Sequence, residues 1–163
     1  MKLLFGIGLI SAFAAIIILA GITYVINPID SFLESPEDAQ KLVNNAIELY
    51  DMHGKNAFPR IDVDPEFKGQ ELYVYVIRDS DGTIVADGGK EQTLIGKNID
   101  DVKDINGKGI GKMIHEKATK DGIWVEYLWK DPANNEILPK QVWLVKHDGY
   151  IFGSGVYYQE NQF

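Results

Sequence analysis

Near the end of this 163-residue chain, Gly153-Ser154-Gly155 sits inside "HDGYIFGSGVYY" (His147–Tyr158). Glycines so spaced cradle a phosphate when a helix follows at once, because the helix N-terminus supplies the amides that hold the anion. Here Val156-Tyr157-Tyr158 continues as a strand and only five residues remain. The phosphate reading fails. A serine nucleophile on a strand-to-helix elbow needs G-x-S-x-G, and this segment is one residue short on each side. The acidic clusters Asp62/Asp64/Glu66, Asp79/Asp81 and Asp100/Asp101/Asp104 carry oxygens suited to calcium. None supplies the alternate ligand positions and closing glutamate of an EF-type loop, and Asp79-Ser80-Asp81-Gly82 is accounted for by turn chemistry. His53, His115 and His147 lack metal-ligand spacing, and the chain has no cysteine for a thiolate site, a disulfide or a nucleophile. No catalytic residue, metal or cofactor is expected. In a strand, Gly153 and Gly155 point to the same face, where they remove bulk and let a helix, another chain or a ligand come close.

The elements that must position such a strand are legible in order. Ser35-Pro36-Glu37-Asp38 reads as a helix start, with serine as N-cap, proline at the first helical position and acids in the first turn. Leu42, Val43, Ala46, Ile47, Leu49 and Tyr50 follow at helical spacing, and Gly54 is a natural stop. Lys55–Gln70 reads as loop with a short helical turn. Leu72–Ile77 and Thr83–Asp87 form a hairpin around Asp79–Gly82, and Gly88-Gly89 ends it. A loop over Lys90–Asp104 leads to a helix within Gly107–Lys120. Ile123–Lys130, Leu138–Lys146 and Tyr150–Tyr158 are three further strands, the last two joined by the hairpin signal Asp148-Gly149. Short connections between strands make the sheet antiparallel, so the fold class is α+β, a layered domain with helices on a sheet of about five strands.

Leu3–Ile26 contains no charged residue. At about 1.5 Å per residue its 24 residues reach roughly 36 Å, enough to cross a bilayer core of about 30 Å. A secretory apolar region is usually only about 7–15 residues, so an uncleaved transmembrane anchor is favoured over a signal peptide. Lys2 precedes the run and acids follow it, which places the N-terminus in the cytoplasm and the rest of the chain outside the cell membrane. All 24 acidic residues and 15 of the 16 basic ones follow Ile26, giving that part a net charge of −9. Such a charge argues against nucleic acid and anionic lipid as partners. The domain organisation is an anchor over residues 1–26, a connector over 27–34 and one domain over 35–163.

"ELYVYVIRDSDGTIVADGG", "LIGKNIDDVKDINGKGI", "GIWVEYLWKDPANNEILPK" and "GYIFGSGVYY", in that order, resemble a single Cache domain, and "HGKNAFPRI" is similar to the segment that precedes its sheet. The resemblance covers about Lys41 to Tyr158. It implies a PAS-like fold, in which a long N-terminal helix packs on a central antiparallel sheet whose other side holds a small-ligand pocket. It also implies an extracytoplasmic sensory role of the kind found in bacterial and archaeal chemoreceptors and kinases. On this resemblance Tyr73, Tyr75, Tyr127 and Trp129 line the pocket, with Asp87 and Lys140 supplying polar contacts. Ordinary core packing of the aromatics, and a solvated strand-edge position for Lys140, are the plainer alternatives. Many members carry histidine where this chain has Asp87, and an acid there disfavours an anionic ligand group unless a cation or a protonated group pairs with it. Such receptors also normally continue into a signalling domain, whereas this sequence stops at Phe163. The expectation is therefore a domain that binds a small organic acid or amino-acid-like ligand and signals through a membrane protein partner. The alternative is a structural or assembly subunit that uses the same fold to hold other proteins.

Overall fold

The computed structural model describes residues 16–19, 22–25, 34–69, 71–90, 92–132 and 134–158, in two compact units, Met1–Leu33 and Glu34–Phe163. In the first unit, strands β1 (Ile16–Leu19) and β2 (Ile22–Val25) pair antiparallel, with Ile16 opposite Val25 and Leu19 opposite Ile22. The sequence predicts one membrane helix over Leu3–Ile26; the residues described within it are these two strands. "IIIL" and "ITYV" are rich in β-branched residues, which favour strands as well as apolar surroundings. The remainder of the predicted span, and the connector as far as residue 33, lie outside the described residues. No helix among the described residues is long and apolar enough to cross a membrane.

The second unit opens with helix α1 (Pro36–His53). Ser35 Oγ accepts the Asp38 N–H at 3.2 Å while Asp38 Oδ2 accepts the Ser35 N–H at 3.0 Å, so two end-of-helix donors are satisfied reciprocally. Gly54 closes the helix, its N–H donating to the Tyr50 carbonyl. The segment read as loop is more helical than expected. A 3-10 turn over Gly54–Ala57 runs into helix α2 (Phe58–Ile61), which buries Ala57, Phe58 and Ile61. Pro59 hides this element in the sequence, because a proline that starts a helix looks like a breaker.

Five strands form the sheet: β3 (Tyr75–Arg78), β4 (Ile84–Asp87), β5 (Ile123–Lys130), β6 (Ile137–His147) and β7 (Tyr150–Tyr157). All pairings are antiparallel in the order β4-β3-β7-β6-β5. The last strand therefore lies at the centre, hydrogen-bonded on both sides and buried along nearly its whole length. Helix α3 (Ile110–Lys117) follows a 3-10 turn at Ile99–Asp101. The β6–β7 turn uses Asp148 and Gly149, both at positive φ (44° and 79°), as a two-residue hairpin requires.

Each face of the sheet buries a different core. On one, α1 and α2 cover Val74, Val76, Ala86, Tyr150 and Phe152. On the other, α3 and its flanking loops cover Ile77, Ile84, Val125, Val142, Leu144 and Ile151. Two polar latches tie α1 to the β6–β7 hairpin: Tyr50 Oη donates to Asp148 Oδ2 at 2.7 Å, and His147 Nε2 lies 2.7 Å from Asp51 Oδ1.

Candidate ligand-binding site

The α3 face does not close completely. Alternation in β5 turns Val125, Tyr127 and Trp129 inward together, and Tyr73 and Tyr75 do the same at the entry to β3. These aromatics and Asp87 border an inner cavity of about 40 Å³, whose remaining wall is Ile84, Leu94, Ile99, Val102, Ile110 and Ile114. At about 10–15 Å³ per water by this measure, it holds roughly three waters or a short aliphatic group. An outer chamber of about 310 Å³ shares Tyr73, Asp87, Leu94 and Trp129 with it and is otherwise walled by the 89–93 loop and the β5–β6 connection. Its lining adds polar side chains that the inner cavity lacks, namely Lys90, Gln92, Thr93, Lys130 and Asn135.

Gly153 is part of this construction. A Cβ there would lie 2.5 Å from Cζ of Tyr75, so the Tyr75 ring packs against β7 only because the position is glycine. The Tyr75 hydroxyl is fully buried and makes no close hydrogen bond, the Tyr127 hydroxyl being the polar group that it faces. Burial pushes the Tyr127 phenol up to about 12 and raises those of Tyr73 and Tyr75 well above the usual range. All three are neutral donors and acceptors at physiological pH.

Asp87 is 6% exposed. Its Oδ1 accepts the Gly89 N–H at 2.9 Å, and its own N–H donates to Asp62 Oδ1 at 2.8 Å. Burial raises its pKa, offset by the Gly89 amide and the charge of Lys140. The Asp62 backbone carbonyl accepts from the Gln92 side chain, which straps the outer-chamber loop to the end of α2. Gln92 holds φ at 48°, a left-handed conformation unusual for a side chain of its kind.

Lys140 is 2% exposed, so the solvated-edge alternative is wrong. It sits on the cavity face of β6, opposite Tyr127 on one side and Tyr157 on the other. Its Nζ lies 4.1 Å from the Tyr73 ring centroid and 4.5 Å from that of Tyr157, and donates to Tyr157 Oη at 3.4 Å. Burial pulls its pKa down to about 7, against the pull of Asp87 and then of Glu34, Asp131 and Glu71. The structure thus gathers Tyr73, Tyr75, Asp87, Tyr127 and Trp129 around one cavity. Lys140 lies outside that lining, behind the Tyr73 ring. Sequence reasoning missed the α3 wall, Ile110 and Ile114, although their i, i+4 spacing marks one buried helix face. It also missed Gln92 and Asp62, for which loop composition gives no signal.

The family model of the single Cache domain 2 matches residues 31–161. Among solved structures, a methyl-accepting chemotaxis protein from Vibrio parahaemolyticus RIMD 2210633 is 22% identical with a TM-score of 0.59, covering 79% of this chain and 90% of that one. A Cache chemosensory domain, described for its carboxylic acid recognition, is 19% identical with a TM-score of 0.58, covering 82% and 100%. A periplasmic sensor domain of a chemotaxis protein is 21% identical with a TM-score of 0.53, covering 76% and 90%. At such identities these likenesses establish the fold. No curated protein matches the chain.

Proposed function

Because the chain belongs to the single Cache domain 2 family, we propose that it captures a small molecule in the cavity of the α3 face and acts as an extracytoplasmic sensory domain. The observation that carries this reading is the open sheet face itself. Four aromatics, among them the buried Tyr75 phenol, and a buried carboxylate surround a space that helix packing leaves unfilled. Aromatic walls exclude water and a few polar groups fix orientation, as small-molecule sites require. Small organic acids and amino-acid-like compounds are the ligand class that the family implies, and carboxylic acid recognition by a related Cache domain supports it. The test is a thermal-shift screen of the full chain in mild detergent against small carboxylates, amino acids and amines. A specific binder at about 100 times its Kd adds roughly 2.7 kcal/mol. The shift should disappear in Trp129→Ala; a flat response across the screen counts against sensing.

The apolar run Leu3–Ile26 supports a single-pass anchor with the domain outside the cytoplasm. An open strand pair leaves unsatisfied edge groups that hydrocarbon does not tolerate, so this reading requires β1 and β2 to become helical in a bilayer. Alkaline extraction of cell membranes decides it: an anchored chain stays in the pellet, and release to the supernatant refutes the anchor. Output would pass to a membrane protein partner through α1, which the Tyr50–Asp148 and His147–Asp51 latches join to the β7 hairpin.

One observation favours a protein-assembly role instead. β5 is an edge strand, and Ile105 (65% exposed) and Ile137 (39%) flank a groove of about 270 Å³ that also includes Leu128 and Trp129. Crosslinking from Ile137→Cys to a second protein in the native membrane, combined with no ligand response, would favour that role.

A further inference from the structure

The charge layout of the cavity narrows its ligand, on the reading that the cavity is a binding site. Asp87 lines both chambers and is almost fully buried. No lysine, arginine or histidine makes an ion-pair contact with it among the described residues, and Lys140, on the far side of the Tyr73 ring, acts on it only at longer range. One backbone amide, from Gly89, donates to its Oδ1, and Oδ2 receives no hydrogen bond among the described residues. A buried carboxylate with so little compensation costs free energy that a cation would recover.

The surroundings suit a cation in three further ways. The inner lining contains no basic side chain, since Lys140 is held behind the Tyr73 ring. Tyr73, Tyr75, Tyr127 and Trp129 all line the cavity, and aromatic rings attract an ammonium through their quadrupoles. The Tyr75 hydroxyl, buried beside the Tyr127 hydroxyl, has an acceptor lone pair to offer. Beyond these groups the wall is entirely aliphatic, from Ile84 to Ile114. The lining lysines, Lys90 and Lys130, are exposed and belong to the outer chamber.

We infer that this cavity takes a small ammonium compound, with the cationic nitrogen against the Asp87 carboxylate and aromatic walls and a short aliphatic part in the inner chamber. A carboxylate on the same molecule is accommodated only toward the outer chamber, where Lys90 and Lys130 lie. A simple acid entering carboxylate-first meets Asp87 with no lining cation to offset it.

The test uses three probes of one size and different charge, n-propylammonium, 1-propanol and propionate, titrated calorimetrically into the full chain in mild detergent. Propylammonium is expected to bind at least about tenfold more tightly than either of the others. In Asp87→Asn, which keeps an acceptor for the Gly89 amide, that preference is expected to fall by about tenfold or more. If the variant does not fold, the three-probe order in the native chain decides alone. Propionate binding as well as or better than propylammonium, or an order unchanged in Asp87→Asn, overturns the inference and leaves the cavity a binding site. Binding by none of the three overturns the inference and the ligand-binding reading together.

Discussion

The two faces of the sheet are built from the same strands and have opposite characters. Under α1 the packing is closed. Tyr50 stacks on Phe58 at 5.6 Å, meets Tyr150 at a tilt at 5.4 Å and Phe152 edge-on at 5.8 Å, and its hydroxyl is satisfied by Asp148. Under α3 the aromatics surround space, a buried phenol makes no close hydrogen bond, and two ionisable groups, Asp87 and Lys140, are buried without an ion-pair contact among the described residues. One face is filled by its own side chains; the other leaves a cavity. Strand β7 divides the two residue by residue, with Phe152 and Ser154 toward α1 and Ile151, Gly153 and Gly155 toward the cavity.

The largest expected effect is on the closed face. Phe152 is fully buried among rings, and Phe152→Ala should cost about 3–5 kcal/mol in urea unfolding. Trp129→Ala, a larger truncation at the partly buried cavity rim, should cost less than half as much. Equal costs would mean that the cavity face is ordinary core. Next comes Gly153→Ala. The added methyl must displace the Tyr75 ring, for a loss of about 1–3 kcal/mol.

The third effect is a pH slope. Lys140 releases its proton near pH 7 in the folded chain but only near 10.5 when unfolded. Between those values the unfolded state holds more protons, so stability rises with pH, by up to about 1.4 kcal/mol per unit. Urea midpoints of the ligand-free chain at pH 7, 8 and 9 should climb, and Lys140→Met should flatten the climb. A slope that survives in the variant belongs to another group. The smallest effect is at Ser154, whose buried hydroxyl has no partner. Ser154→Ala should leave stability unchanged or raise it by about 1 kcal/mol. A clear loss would show that the hydroxyl is satisfied, and would weaken the contrast between neighbouring residues.

Much of this architecture is legible in the sequence alone. Capping and periodicity placed α1 at its observed start, and alternation put Tyr127 and Trp129 on one face. Asp148-Gly149 named its own turn, because these signals are local and act through backbone geometry. Strand order was not readable: nothing in "GYIFGSGVYY" says that it inserts between β3 and β6, since pairing partners are chosen by long-range packing. The glycine reading was right about bulk but could not say that the Tyr75 ring fills the space at Gly153. The edge alternative for Lys140 fails because burial of a charge is decided by rings such as Tyr73 and Tyr157, which the fold brings over it and the local sequence does not reveal. The Leu3–Ile26 run shows the limit of composition, since its β-branched apolar residues suit a strand as well as a bilayer helix.

The central claim is that the cavity face binds and the α1 face does not take part. Calorimetric titration of the full chain, of Gly153→Ala and of Ser154→Ala, against a panel of small amines, amino acids and carboxylates, tests it most directly. The account predicts a saturable ligand for the native chain, retained in Ser154→Ala and weakened at least about tenfold in Gly153→Ala, one residue away on the opposite face. No saturable ligand in the native chain, or equal affinity in the two variants, would contradict it.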